Sequence, residues 1–234
     1  MNSERKLATI LATDCVNFSK HMEESEELTL TNLNECRKII DEVIAKFGGK
    51  IFSTAGDSVV AEFPSPVQCV KAAIEFQDKL YERNEHSLTK LQLNWRVGIH
   101  VDDVIVENNN IMGSGVNVAA RLESQSEPGK ILVSKIVKDQ VDKRIDYSIE
   151  ADGTRKLKNI SDEFEVFKVK GLKIDEDDFF SEEVNEEKNE DENKQDDNVI
   201  VSRNSSQPKI AILTFKNVSK NDDSEFLVEA ITGD

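Results

Sequence analysis

Two aspartates, Asp14 and Asp57, stand beside short apolar runs, where a carboxylate is held rigidly. Asp57 lies within Ile51–Phe63, IFSTAGDSVVAEF. This stretch reads as a hairpin: Ile51–Thr54 and Val59–Phe63 are strand-like, Gly56 gives a permissive backbone, and Asp57 and Ser58 are turn formers. Asp14 closes the apolar run Leu7–Ala12 and opens the turn Cys15–Ser19. Side by side, the two strands would present both carboxylates as one site. Paired carboxylates repel unless a cation joins them. With no lysine at the same tip, that cation is a divalent metal, and oxygen donors favour Mg2+ or Mn2+ over zinc. Such ions serve phosphate chemistry, neutralising phosphate oxygens and activating a hydroxyl. The turn after Asp14, including Phe18 and Ser19, offers backbone N–H groups as a cradle for a triphosphate. Farther on, Asn117 and Arg121 share one helical face. Arg121 would stabilise charge on a reacting phosphate, and Lys158 would reach the terminal phosphates.

Each of these residues also has an ordinary structural reading. An aspartate ending a strand commonly caps turn backbone. Asn117 with Arg121 fits a solvated helix face, Lys158 a surface lysine, and His100 a half-buried strand-end histidine. Spacing alone reaches an α+β domain with a candidate metal site.

The elements that must position these groups follow from periodicity. Lys6–Thr13 reads as a strand and Met22–Lys46 as a helix, with Leu33, Cys36, Ile40, Val43 and Phe47 on its buried face and Gly48-Gly49 as its stop. After the hairpin, Ser65-Pro66-Val67-Gln68 is a helix start. Leu91–Val101 and Val104–Glu107 read as a strand pair turning at Asp102-Asp103, and Asn108–Asn110 as a loop. Ser114–Ser124 reads as a helix ended by Pro128-Gly129. Lys130–Val133 is a strand, Ser134–Val141 a helix, and Tyr147–Glu150, Arg155–Leu157 and Glu165–Val169 are closing strands. The order predicts an α+β fold, a split βαβ (ferredoxin-like) sheet with helices on one face.

The net charge of −16 is concentrated in one place. Lys173–Asp197 holds 13 acidic and 3 basic residues, a composition that predicts a disordered linker rather than a nucleic-acid surface. Cys15, Cys36 and Cys69 have no CxxC spacing and fit a reducing compartment. No apolar run approaches the roughly 20 residues of a membrane span, so a cytoplasmic chain without membrane contact is expected.

Five segments, in order, resemble the catalytic domain of the class III adenylate/guanylate cyclases. They are RKLATILATDCVNFS, STAGDSVVAEF, RVGIHVDDVIVE, NIMGSGVNVAARLES and RKLKNI, spread over residues 5 to about 170. The resemblance implies that Asp14 and Asp57 bind two Mg2+ or Mn2+ ions, with the Cys15 carbonyl as a further ligand. It implies that Asn117 orients the ribose, Arg121 stabilises the α-phosphate in the transition state, and Lys158 holds the β- and γ-phosphates. Its two base-reading positions fall at Ser53 and Asn110, where adenylate cyclases usually have lysine and then aspartate or threonine. Neither residue forces adenine over guanine. Asp102 stands where glycine is usual, outside the assigned catalytic roles.

The activity implied is conversion of ATP to 3′,5′-cyclic AMP and pyrophosphate in intracellular signalling, at sites shared across a homodimer. The alternatives are a guanylate cyclase using GTP and a silent, cyclase-like regulatory module. A diguanylate cyclase is disfavoured because the hairpin reads AGDSV rather than GGDEF or GGEEF. By this reading residues 1–171 are the catalytic domain and 172–207 the acidic linker. Residues 208–234 resemble the truncated start of a TolB-like domain.

Overall fold

The computed structural model describes residues 4–85, 91–107, 110–157 and 163–175. Strand β1 (Glu4–Cys15) leads into helices α1 (Phe18–Glu24) and α2 (Glu26–Lys46), then the hairpin β2 (Lys50–Ala55) and β3 (Ser58–Phe63). Helix α3 (Pro66–Glu85) is followed by β4 (Trp95–Glu107), β5 (Asn110–Met112) and helix α4 (Ser114–Gln125). Strand β6 (Ile131–Ser134), helix α5 (Lys135–Val141), β7 (Ser148–Lys156) and β8 (Glu163–Lys170) complete the order.

The strands form one sheet in the order β2-β3-β1-β4-β6-β8-β7, with β5 paired to β4. Among the described residues, the β4–β6 pairing is parallel and the other strand pairings are antiparallel. Strand β3 lies between β1 and β2 and is antiparallel to both, which is the split βαβ arrangement expected.

Strand alternation decides what each face of the sheet buries. Leu11 and Cys15 of β1, Val59, Ala61 and Phe63 of β3, and Trp95, Val97, Ile99 and Val101 of β4 join the core under α2, α3 and α5. The intervening residues Ala8, Ile10, Ala12 and Val104 face the other way and pack with Ala119 of α4. Val118 and Leu122 of α4 meet Leu132 and Val166 on that same side. The α+β class therefore stands, but the helices do not all lie on one face: α4 is alone opposite α2, α3 and α5. Gly98 makes this possible, because a Cβ there would stand 2.2 Å from Glu123 N and 2.3 Å from Ala119 O. The close approach of helix backbone to strand excludes any side chain.

Three local expectations change. Asp102-Asp103 is not a turn; β4 runs through it, and the two residues pair with Ala8 and Leu7. Continuous ladder hydrogen bonds to β1 outweigh the turn preference of the Asp-Asp dipeptide. The first helix is broken at Ser25, whose extended backbone separates α1 from α2. The two short strands expected between Tyr147 and Leu157 are one strand, β7, with an irregularity between Ala151 and Thr154. The stops behave as read: Gly48 has φ 74° and Gly49 N–H donates to Ile44 O at 2.8 Å.

Residues 172–175, grouped with the acidic linker by composition, pack on the domain body. Leu172 is buried in the core. Asp175 accepts N–H bonds from Gly171 and Leu172 and pairs with Lys130 at 2.6 Å. The remainder of that linker and residues 208–234 lie outside the described residues. Among the described residues, no helix is long and apolar enough to cross a membrane.

Candidate active site

The antiparallel pairing of β1 with both β3 and β4 brings the first aspartate to a defined place. Asp14 is the penultimate residue of β1 and lies opposite Arg96 of β4. Asp57 occupies the two-residue turn between β2 and β3, after Gly56 at φ 61°. That left-handed conformation costs glycine little, which is why the turn can be this tight. A hydrogen bond ties the turn to the end of β1: Cys15 N–H donates to Asp57 Oδ2 at 3.0 Å. The carboxylates therefore converge at adjacent residues of β1. Burial raises the Asp57 pKa, two backbone N–H bonds oppose that shift, and the negative charge of Asp14 adds to it.

Two neighbours that the sequence reading passed over complete this corner. Arg96 Nη2 donates to Asp14 Oδ1 at 3.0 Å and Oδ2 at 2.9 Å, and Nε donates to Oδ1 at 3.1 Å. Its Nη1 donates to the carbonyl of Ser124 at 3.2 Å. The same guanidinium lies 3.2 Å from Glu123 Oε1, within ion-pair range but without hydrogen-bond alignment. Glu123 is buried, and burial, followed by its hydrogen bond to Asp14 and that residue's charge, pushes its pKa up to about 8. Both Arg96 contacts therefore meet at one corner, with the guanidinium bidentate to Asp14 and close to Glu123. A signal for Arg96 was present: it is a cation between the apolar residues Trp95 and Val97 at the start of the strand. Glu123 gave none, because its direction depends on how α4 docks.

The expected site residues fall into three groups. Asp14, Cys15 and Asp57 come together at the end of β1. The Cys15 side chain points into the helix-covered core, where burial, then the charge of Asp57, pushes its thiol up to about 12. Its sulfur is therefore a neutral core group, leaving its backbone for any ligand role. Phe18 and Ser19 open α1 just beyond; the Phe18 ring packs on the core and Ser19 is exposed.

Ser53 and Asn110 form the second group. Ser53 is exposed on β2 at the register shift between Ile51 and Ser53. Asn110 is exposed at the start of β5, with Oδ1 accepting the Ile111 N–H at 2.9 Å. Strand β5 pairs with β4 and also approaches β2, the strand that carries Ser53.

Asn117 and Arg121 form the third group, on the outward side of α4, exposed and half-buried respectively. Lys158 lies outside the described residues, but Leu157 before it is buried against Val118 and Leu122 of α4.

Residues 2–171 match the family described as the adenylate and guanylate cyclase catalytic domain. The chain belongs to the adenylate/guanylate cyclase catalytic domain family. The cyclase domain is also similar to solved structures. One, an adenylate/guanylate cyclase/hydrolase from Silicibacter pomeroyi, has 37% identity and a TM-score of 0.68, over 73% of this chain and 99% of that one. Another, the adenylyl cyclase CyaB from P. aeruginosa, has 25% identity and a TM-score of 0.65, over 75% and 99%. A Rhizobium meliloti protein provisionally named as an adenylate cyclase is 28% identical over 98% of this chain. The chain spans 37% of that relative's length.

The family generally uses divalent metals, and the donor set fits one. Asp14 and Asp57 offer half-buried oxygen donors, and burial followed by the charge of Asp14 raises the Asp57 pKa, which a hard cation would offset. Among the described residues, no group of three His, Cys, Asp or Glu side chains is arranged to hold a metal. The remaining ligands would be backbone oxygen, water and phosphate, the pattern typical of Mg2+.

Proposed function

We propose that the domain is a purine nucleotide cyclase, converting ATP to 3′,5′-cyclic AMP and pyrophosphate. The observation that carries this reading is the Cys15 N–H to Asp57 Oδ2 bond, which joins the hairpin carboxylate to the strand bearing Asp14. Asp14, Asp57 and the Cys15 carbonyl would hold two Mg2+ or Mn2+ ions. When bound, these supply activation of the ribose 3′-hydroxyl and neutralisation of phosphate charge.

The chain's own groups do the rest. Asn117 orients the ribose so that its 3′-oxygen lies in line with the α-phosphorus. Arg121 donates to the α-phosphate oxygens, most strongly as charge builds in the transition state. The N–H groups of the turn through Phe18 and Ser19, together with Lys158, hold the β- and γ-phosphates. The 3′-oxygen bonds to phosphorus as the bond to pyrophosphate breaks. The outward face of α4 leaves Asn117 and Arg121 available to a second copy, supporting a homodimer in which each site combines the aspartates of one protomer with α4 of its partner. A cytoplasmic signalling role is the reading that suits a nucleotide substrate and three buried cysteines that form no disulfide. Residues 172–207 would link this domain to a further TolB-like module at 208–234.

Guanylate cyclase activity is the second reading, left open by Ser53 and Asn110. Both are exposed, and one lone pair of Asn110 Oδ1 is already used by Ile111. The free serine hydroxyl and asparagine amide can serve either purine. The test is product formation from ATP and from GTP, each with Mg2+ and with Mn2+, at several protein concentrations. Cyclic AMP rising more than linearly with protein supports the proposal. A GTP preference selects the second reading, and no product from a verified dimer refutes both.

A further inference from the structure

Asp102 connects the sheet to the start of α4 in a way the catalytic assignments leave unused. Helix α4 begins after Gly113, whose φ is 150°, and this N-cap residue has no side chain to satisfy the first N–H groups. A side chain there would also press on the Asp103 carbonyl, with its Cβ 3.2 Å from that oxygen. The first turn of α4 carries no acidic residue of its own. Asp102, half-buried on β4, supplies that charge from the neighbouring strand. Its Oδ2 accepts the Ser114 hydroxyl at 2.9 Å, and its Oδ1 accepts the Asp103 N–H at 2.8 Å. Both oxygens are fixed, one to the strand and one to the first residue of the helix.

The packing around this contact is close. A Cβ on Gly115 would stand 2.4 Å from Asp102 Cβ and 3.0 Å from Ile10 Cδ1, so the helix start lies flush on β4 and β1. Asn117 lies in the turn of helix that Ser114 begins. Arg96 fixes the far end of α4 by donating to the Ser124 carbonyl. The helix is thus held at both ends by side chains of a single strand, β4.

We infer that Asp102 is a positioning residue for the cyclase reaction: through Ser114 it fixes the first turn of α4 and thereby the placement of Asn117. This rests on the cyclase reading of α4. A loosened first turn would misplace the ribose contact without removing any group that binds the phosphates. The effect belongs in kcat, since binding by the rest of the site is intact.

The experiment compares Asp102→Ala, Asp102→Asn, Ser114→Ala and the Asp102→Ala/Ser114→Ala double variant in the full chain. It measures kcat and KM for ATP with Mn2+, thermal stability, and amide hydrogen exchange along α4. We expect kcat to fall roughly 10-fold in Asp102→Ala with KM changed less than about twofold. Asp102→Asn, which keeps one acceptor, should fall in between. The double variant should be no worse than the poorer single, because both remove one contact. Exchange should quicken at residues 114–118 and not along β4. Unchanged kcat in a folded Asp102→Ala protein, an effect in KM alone, or unchanged exchange at 114–118 would each overturn the inference. If Asp102→Ala fails to fold, Ser114→Ala carries the same test. A wild-type chain without cyclase activity would refute the cyclase reading instead, and the exchange comparison alone would then decide whether Asp102 holds the helix start.

Discussion

Replacing Gly98 with alanine tests whether the docking of α4 on β4 sets the active-site geometry. The added Cβ would sit 2.2 Å from Glu123 N, 2.3 Å from Ala119 O and 2.8 Å from Glu123 Cα. All three are backbone atoms, so no side-chain rotation relieves the overlap. Restoring ordinary contact requires the helix to retreat by roughly 1 Å. Overpacking of this kind costs roughly 1–3 kcal/mol, which for a domain of this size lowers Tm by roughly 2–12 °C. The same retreat stretches the Arg96 bond to the Ser124 carbonyl and moves Asn117 and Arg121 together. A misplacement of about 1 Å in a positioned catalytic group can cost roughly 100-fold in rate. The assay is kcat and KM for cyclic nucleotide formation beside a thermal melt at fixed protein concentration. A second variant, Gly98→Ala with Ala119→Gly, should give no rescue, because the obstructing atom is the Ala119 carbonyl and not its methyl. A Gly98→Ala protein with wild-type kcat and Tm, or full rescue by Ala119→Gly, would refute the reasoning.

Asp57→Asn keeps an acceptor for the Cys15 N–H but removes a charged metal ligand. It should abolish turnover and weaken Mn2+ binding measured by calorimetry, and near-normal values in both would remove the metal-site assignment. Arg121→Ala should lower kcat roughly 100-fold or more with a smaller effect on KM, and a pure KM effect would contradict its transition-state role. Mixing the Asp57→Asn and Arg121→Ala proteins should restore activity, because a mixed dimer collects both defects in one site and leaves the other intact. Mixed dimers shown to form without rescue would sink the shared-site arrangement. His100 is buried with Nδ1 2.8 Å from Ser134 Oγ, and burial lowers its pKa from 6.5. The unfolded chain therefore binds the extra proton first. The stability tied to neutral His100 is complete above about pH 6.5 and is lost as pH falls towards the depressed folded value. The Tm loss between about pH 7.5 and about pH 5.5 should shrink in His100→Gln, and an unaltered loss would contradict this account.

Much of the architecture was legible because it rests on local rules. The strand-like run Val59–Phe63, the tight turn at Gly56-Asp57, the Gly48-Gly49 stop and the period of Leu33, Cys36, Ile40 and Val43 all appear in the structure as read. These features depend on residues a few positions apart, so a single sequence carries them. That the Asp14 strand would lie beside the hairpin carrying Asp57 was also readable, and β1 does pair with β3.

Tertiary structure decided what long-range contact controls. Asp102-Asp103 has strong turn character, yet twelve residues of β1 pair across it and keep β4 straight. Gly98 carried a signal, a glycine inside a strand, but only the docked helix shows that α4 occupies the opposite face from the other large helices. Arg96 reaches Asp14 across 82 residues of chain, and Glu123 joins them only because α4 presses on β4. Sequence supplied the charged groups and the local turns that present them. Which charges neutralise one another, and which strand anchors α4, depend on distances that arise only when distant segments are packed together.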